Sequence, residues 1–320
     1  MIIFLGDVAL LNNNFKQFYV PRFPYIFNLE YVIGNDECFQ PTCGKVNLLS
    51  NNSNFNTYFG KNPVAVTISN NHTLDYGDEG VASTKRVLND KHIGIIEANR
   101  YWYDKQTCMM SYSCVGSMFD KNNLFAFTKD KCERSIKTAI EEGAKSIIVF
   151  MHWGIEHQPY ASKKQIELGH WLIDKGVSLV VGNHPHCIQP IEIYKDKVIC
   201  YSLGNCLFPN FHLNSHFDEN SIPHRRWHMR WCSWNNESIA IVFDEKQGVV
   251  QCVECLFTDK FGLHKKKETS IDDFRPIKNN KFKYLLRKYA LFFYSNIFVE
   301  GKIAEVSAFK NEIFNKLKGM

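Results

Sequence analysis

Along the first 260 residues, short apolar runs alternate with amphipathic stretches, and the apolar runs repeatedly stop at Asp, Glu, Asn or His. "MIIFLGD", "YIFNLEYVI" and "PVAVTISNNH" have the nearly continuous apolar character of buried strands. "GDEGVASTKRVLNDKHI" places Val81, Val87 and Leu88 at helical spacing, and "HIGIIEA" reads as the next strand. "CERSIKTAIEEGAKSIIVFMHWG" predicts a helix, a stop at Gly143 and a strand. "KKQIELGHWLIDKGVSLVVGNHPHCIQP" repeats that plan, with Gly176 as the stop. "KVICYSLGN" predicts one further strand, and "ESIAIVFDEKQGVVQCVECLFT" a hairpin turning near 246–248. "NNNFKQFYVPRFPY" and "NNSNFNTYFG" read as loops. "HLNSHFDENSIPHRRWHMRWCSWNN" reads as an irregular insertion facing the site, and the chain from about 276 onward as helices mixing basic and aromatic residues.

Strands alternating with helices predict an α/β fold, in which loops at the carboxyl ends of the strands carry the chemistry. The residues at those ends are Asp7, Glu30, Asn71 with His72, His152, His184 with His186, and Asn205. Carboxylates, imidazoles and an amide oxygen together form the ligand set of divalent ions such as Mn, Fe and Zn. His184 and His186 lie two apart after a strand, so an extended segment would project both the same way. Glu156 is expected to hydrogen-bond or orient a ligand. Trp153 is expected to pack, and Asn205 to hold a turn.

Composition narrows the class. A chain of 320 residues with 45% hydrophobic and 22% charged positions can bury a sizeable core. The net charge of +5 comes without a dense basic block in the first 260 residues, which gives no reason to expect a nucleic-acid partner. Eleven scattered cysteines fit a reducing compartment. Cys252 and Cys255 have C-x-x-C spacing, but they have no second pair and alternate as a strand does. The amino-terminal apolar run is too short for a signal peptide or a membrane span, so a cytoplasmic protein is expected, with peripheral attachment at the inner membrane face left open. "KFKYLLRKYALFFYSNIF" at 281–298 leaves two readings: a helix packed on the core, or a basic amphipathic helix on an anionic membrane. "HRRWHMRW" at 224–231 either binds an anionic substrate or is a solvated surface segment.

"LGDV" at 5–8, "NLE" at 28–30, "SNNHTLDYG" at 69–77, "HWGIEHQPY" at 152–160, "GNHPHCIQPIEIY" at 182–194 and "YSLGN" at 201–205 occur in one order. In this the chain resembles the CapA family, associated with poly-γ-glutamate capsule synthesis, within the calcineurin-like metallophosphoesterase superfamily. The resemblance covers roughly residues 2–260. It implies a four-layer α/β/β/α sandwich over 1–260, with 261–320 as a C-terminal helical extension. It further implies a site for one or two divalent ions (Mn, Fe or Zn), held by Asp7, Glu30, Asn71, His152, His184 and His186, with Glu30 where the superfamily has a bridging aspartate. His72 matches the general acid and Asp75 the group that orients it. The wider superfamily has D-x-H where this chain has Asp7-Val8-Ala9, so one histidine ligand is absent. The implied activity is metal-dependent hydrolysis of a phosphoester, on an anionic polymer or envelope precursor and alongside capsule-assembly proteins. The alternatives are amide or acyl transfer on poly-γ-glutamate, and a non-catalytic accessory role.

Overall fold

The computed structural model describes residues 1–11, 19–35, 39–115, 125–229, 231, 233–259 and 262–274. In chain order the strands begin with β1 (Ile2–Val8), β2 (Tyr25–Leu29), β3 (Val32–Ile33), β4 (Leu49–Ser50), β5 (Ala65–Thr67) and β6 (Gly94–Ile96). They continue with β7 (Tyr101–Trp102), β8 (Thr107–Ser113), β9 (Ser146–His152), β10 (Leu179–Asn183), β11 (Ile191–Tyr194) and β12 (Lys197–Cys200). The last six are β13 (Asn205–Leu207), β14 (Phe211–Phe217), β15 (Pro223–Met229), β16 (Glu237–Asp244), β17 (Val249–Thr258) and β18 (Leu263–Thr269). The helices are α1 (Phe55–Phe59), α2 (Gly77–Asp90), α3 (Lys129–Glu141) and α4 (Lys163–Asp174).

Two sheets carry the fold. One runs β18-β17-β16-β1-β2-β5-β6 with β13 also paired to β1, and the other runs β11-β12-β10-β9-β8-β7. Side chains alternate faces along each strand, which divides the core cleanly. Ile2 and Phe4 of β1 meet Ile148 and Phe150 of β9 in the layer between the sheets. Phe4 and Phe150 cross edge to face with ring centres 5.5 Å apart. Ile3 and Leu5 face outward onto Phe55 and Phe59 of α1 and Leu88 of α2. Ile147, Val149 and Met151 face outward onto Ile136 of α3 and Leu172 of α4. The architecture is therefore a four-layer α/β/β/α sandwich. Truncating an aromatic at the central layer, such as Phe4, would cost about 3–5 kcal/mol.

Helix signals act where the sequence puts them. Thr128 caps α3 through its side chain, and Ser162 with Gln165 forms a capping box on α4. Gly143 and Gly176, at φ 95° and 101°, end the following turns in a conformation that L side chains rarely adopt.

Four expectations are corrected. "YIFNLEYVI" is not one strand: it breaks after Leu29, and Glu30 leaves the sheet before β3 begins. "KVICYSLGN" is not one strand either. β12 belongs to the six-stranded sheet, whereas Asn205 opens β13 in the other, so the chain crosses between sheets at Tyr201–Gly204. There Gly6 packs so tightly on Gly204 that a Cβ would sit 1.9 Å from the Gly204 carbonyl oxygen. The segment around 211–229 is not irregular: β14 and β15 form a regular antiparallel ribbon, whose apolar residues Leu213, Trp227 and Met229 pack at the edge of the core. Within "NNSNFNTYFG", Phe55–Phe59 forms a short helix.

The boundary at residue 260 also moves. Leu263–Thr269 pairs with β17 as the edge strand of the large sheet, so residues 263–269 do not belong to a helical extension. The helices expected from about 276, including 281–298, lie outside the described residues. Cys252 and Cys255 sit on β17 as free thiols, three residues apart and so on opposite faces. Among the described residues, no helix is long and apolar enough to cross a membrane.

Candidate metal centre

The parallel strands deliver polar side chains to one end of the two sheets. Asp7 stands opposite Asn28 of β2 and Asn205 of β13, beside irregularities in the β1 ladder on both flanks. Asp7 and Glu30 are fully buried, and His152, His184 and His186 nearly so. Asn28 Nδ2 donates to Asp7 Oδ1 at 2.9 Å and reaches Glu30 Oε2 at 3.4 Å, while Asn28 Oδ1 accepts from Thr67 and Asn70 at 3.1 Å each. This amide holds both carboxylates, so what interrupts the apolar pattern of β2 is a hub of the site.

Asn71 Oδ1 lies 2.6 Å from His152 Nε2. His186 Nδ1 lies 2.8 Å from Asn205 Oδ1, and its Nε2 stands 3.6 Å from Glu30 Oε1. Asn205 therefore does more than hold a turn: it holds the His186 ring by Nδ1, with Nε2 turned toward Glu30. Glu30 Oε1 is also 3.8 Å from His152 Nε2, and Asp7 Oδ2 is 3.6 Å from His186 Nδ1.

His184 and His186 do not converge by strand alternation. β10 ends at Asn183, and both histidines adopt left-handed backbone conformations, at φ 96° and 54°. Such conformations cost about 1–3 kcal/mol each and concentrate at functional sites. Asp7 Oδ2 accepts the His184 backbone N–H at 3.2 Å, which ties this turn to β1.

His72 and Asp75 form a second unit, with His72 Nδ1 2.7 Å from Asp75 Oδ2. Asp75 is fully buried, ion-pairs with Lys45 and accepts the Leu48 backbone N–H at 2.5 Å. Lys45 Nζ also donates to the Asn71 carbonyl at 2.6 Å. Asn70 braces the loop, donating to the Leu29 carbonyl at 2.7 Å and accepting the His72 N–H at 3.0 Å. Trp153 packs, as expected: it is 1% exposed and donates to the Tyr201 carbonyl.

Glu156 departs from expectation. Its carboxylate is half-exposed and approaches His157 Nε2 only at 4.0 Å. Instead it joins His184 and His186 in a group of donor atoms lying within 4.8 Å of one another. The same spacing unites Glu30, His152 and His184, and again Asp7, Glu30 and His186. A cleft of about 640 Å³, lined by Cys43, Lys45, Asn71, Glu156 and His184 among others, opens onto these groups.

Electrostatics match the geometry. Burial pushes the Asp7 carboxyl up to about 6. Burial, with the charge of Asp7 next, holds Glu30 well above the usual carboxylate range. Burial, with neighbouring imidazoles second, keeps His152 and His184 well below the usual range. Burial brings His186 and His157 down to about 4. Neutral imidazoles beside buried carboxyl groups are the donor set a divalent ion takes. Glu30 Oε1 and His184 Nδ1 are buried without a hydrogen-bond partner, which is costly unless something binds them. The residues present therefore fit a metal ion.

Sequence reasoning missed Asn28, Asn70 and Lys45, and underrated Asn205. Asn28 stands inside the "NLE" motif, and Asn70 directly precedes Asn71 and His72. Nothing local marks Lys45.

The sequence model of the family described as bacterial capsule synthesis protein PGA_cap matches residues 24–210, a span that holds every residue of the centre except Asp7. The chain is 25% identical over 244 residues to the capsule biosynthesis protein CapA of Bacillus anthracis, covering 64% of this chain and 58% of that one. It is 27% identical over 203 residues to the PGA biosynthesis protein CapA of Bacillus subtilis (strain 168), covering 56% and 53%. It is 24% identical over 210 residues to a probable polyglutamine synthesis accessory protein of Mycobacterium tuberculosis, covering 56% and 54%. The chain thus spans a little over half the length of these relatives. Among solved structures, it is similar to a hypothetical protein from Thermus thermophilus, at 12% identity and a TM-score of 0.43 over 83% of this chain and 99% of that one. It is also similar to the sulfate thiohydrolase SoxB of the same organism, at 9% identity and a TM-score of 0.36 over 90% and 60%.

Proposed function

Because the chain belongs to the bacterial capsule synthesis protein PGA_cap family, we propose that it is a metal-dependent hydrolase of phosphoester type, acting in the assembly of a capsule or cell-envelope polymer. The observation that carries this reading is the position of Glu30. Its unpartnered Oε1 faces both His152 and His186, and Glu30 belongs to two of the three donor groups. Asp7, Glu30 and His186 would hold one divalent ion, and Glu30, Asn71, His152 and His184 a second, Glu30 being common to both sets. Ions such as Mn, Fe or Zn would polarise a phosphoryl oxygen and acidify a bound water.

The chain's own residues supply the rest. Asp75 holds His72 by Nδ1, leaving Nε2 to give a proton to the departing oxygen. Lys45 and the Leu48 N–H fix Asp75 in turn, so the imidazole is oriented before substrate arrives. Asn205 fixes His186, and Asn28 sets the two carboxylates in register.

A non-catalytic accessory role is the second reading. It is favoured by Ala9 standing where the superfamily has a histidine ligand, and by the accessory name of the Mycobacterium relative. Protein purified without chelator separates the readings when its metal content is measured beside His184→Ala, and both are then offered phosphoesters and glutamyl polymers. Roughly one to two equivalents of metal, lost in the variant, together with phosphoester turnover are expected. Turnover of glutamyl polymers alone would mean amide or acyl transfer. A metal-free protein that still supports polymer assembly in cells would leave the accessory role.

A further inference from the structure

The group Asp7, Glu30 and His186 offers three protein donors, and at the position of the absent first-motif histidine stands Ala9, a buried methyl that can coordinate nothing. The vicinity supplies another donor. After β9 the chain turns at Gly154, at φ 88°, where a Cβ would come within 2.8 Å of the Gln165 side chain. The loop is then fastened to the segment carrying the histidines. The Trp153 N–H donates to the Asn183 carbonyl at 3.1 Å, the His157 N–H to the Pro185 carbonyl at 2.8 Å, and Gln189 Nε2 to the Gln158 carbonyl at 2.8 Å. Between these ties sits Glu156, with a carboxylate oxygen inside the 4.8 Å group that includes His184 and His186. Its side chain is 47% exposed and lines the cleft beside His184, so it approaches the centre from the open side.

We infer that Glu156 is a direct metal ligand of this centre, adding a carboxylate donor from the cleft side next to His184 and His186. The inference rests on the metal-site reading above. It assigns Glu156 a bond to the ion, where a group that only orients ligands would hydrogen-bond one of the histidines.

The test is calorimetric titration of the chelator-stripped full chain with Mn2+, in wild type, Glu156→Gln, Glu156→His and His184→Ala, with metal content measured in parallel. Glu156→Gln should weaken one class of Mn2+ site by at least about tenfold and leave the other class in place. Glu156→His should restore most of that loss. The melting temperature of metal-free Glu156→Gln should equal that of wild type, because the carboxylate is half-exposed. Wild-type affinity and stoichiometry in Glu156→Gln, with uptake lost in His184→Ala, would overturn the inference and leave the metal site standing. Absence of Mn2+ uptake by the wild type would overturn both.

Discussion

Lys45 and Asp75 form an ion pair in which the carboxylate is fully buried and the lysine side chain is only 26% exposed. The same carboxylate holds His72, so this pair links the cleft wall to the group assigned as general acid. Removing one partner of a buried pair strands the other charge, and Lys45→Ala should destabilise the fold by about 3 kcal/mol, the low end for such pairs because Lys45 is partly exposed. Adding Asp75→Asn should recover part of that loss. Urea denaturation of the single and double variants gives the coupling energy, expected above about 1 kcal/mol. Additive effects would mean that the pair does not act as a unit.

The metal-free protein should lose stability on acidification. The folded-state value of His186 is about 4 against an ordinary 6.5, so the folded state binds its proton more weakly than the unfolded chain. That contribution, roughly 3 kcal/mol, is present above pH 6.5 and lost as pH falls toward 4. Asp7 acts oppositely: its value is raised from 3.8 to about 6, so it adds stability at low pH that disappears as pH rises through that window. His152 and His184, both lowered, add to the side of His186, and Glu30, held well above the usual carboxylate range, adds to the side of Asp7. Denaturation midpoints measured from pH 7 to pH 4.5 should therefore fall, and fall more steeply in Asp7→Asn. Midpoints that rise on acidification would show the carboxylates outweighing the imidazoles.

Asn205→Leu should lower metal affinity by about ten- to hundredfold while the protein stays folded, because His186 loses the partner that orients its ring. Asn205→Asp keeps an acceptor at that position and should bind metal nearly as wild type does. Equal affinity in the leucine variant would reduce Asn205 to a strand-opening residue.

His72→Gln should separate substrates by leaving group. With an alkyl phosphoester, whose departing oxygen needs a proton, kcat should fall about 10²–10⁴-fold. With a nitrophenyl ester, which leaves without one, the loss should be under about tenfold. Equal losses on both would assign His72 to substrate binding.

What could be read in advance follows from the range over which each feature is determined. β9 ending on His152, and the stops at Gly143 and Gly176, are local: an apolar run, a polar residue, a glycine at positive φ. The acidic, amide and imidazole residues at the strand ends were legible for the same reason. β8 was not, because "TCMMSYS" mixes Thr, Ser and Cys into a strand buried on both faces, and no alternation survives. The ribbon of β14 and β15 did carry a signal, since Phe211 and Leu213 alternate with His212 and Asn214, and Asp218–Ser221 makes the turn. The density of His and Arg hid it. The crossing between sheets at Gly204 has no local cause: it depends on β1, some 200 positions earlier. The left-handed turns at His184 and His186 are likewise imposed from outside, one of them by a bond to Asp7.

The place of β1 inside its sheet has a consequence for synthesis. One of its edges is paired by β2, which follows closely, but the other waits for β13 and β16, made only after residues 205 and 237. At about 5–20 residues per second, that interval is roughly 10–50 s. Throughout it, a fully apolar strand edge, "IIFL", stands open on the nascent chain. The Asp7 end of the future centre therefore leaves the ribosome roughly 200 residues ahead of the strand that pairs beside it, and the site cannot close until that strand has been made.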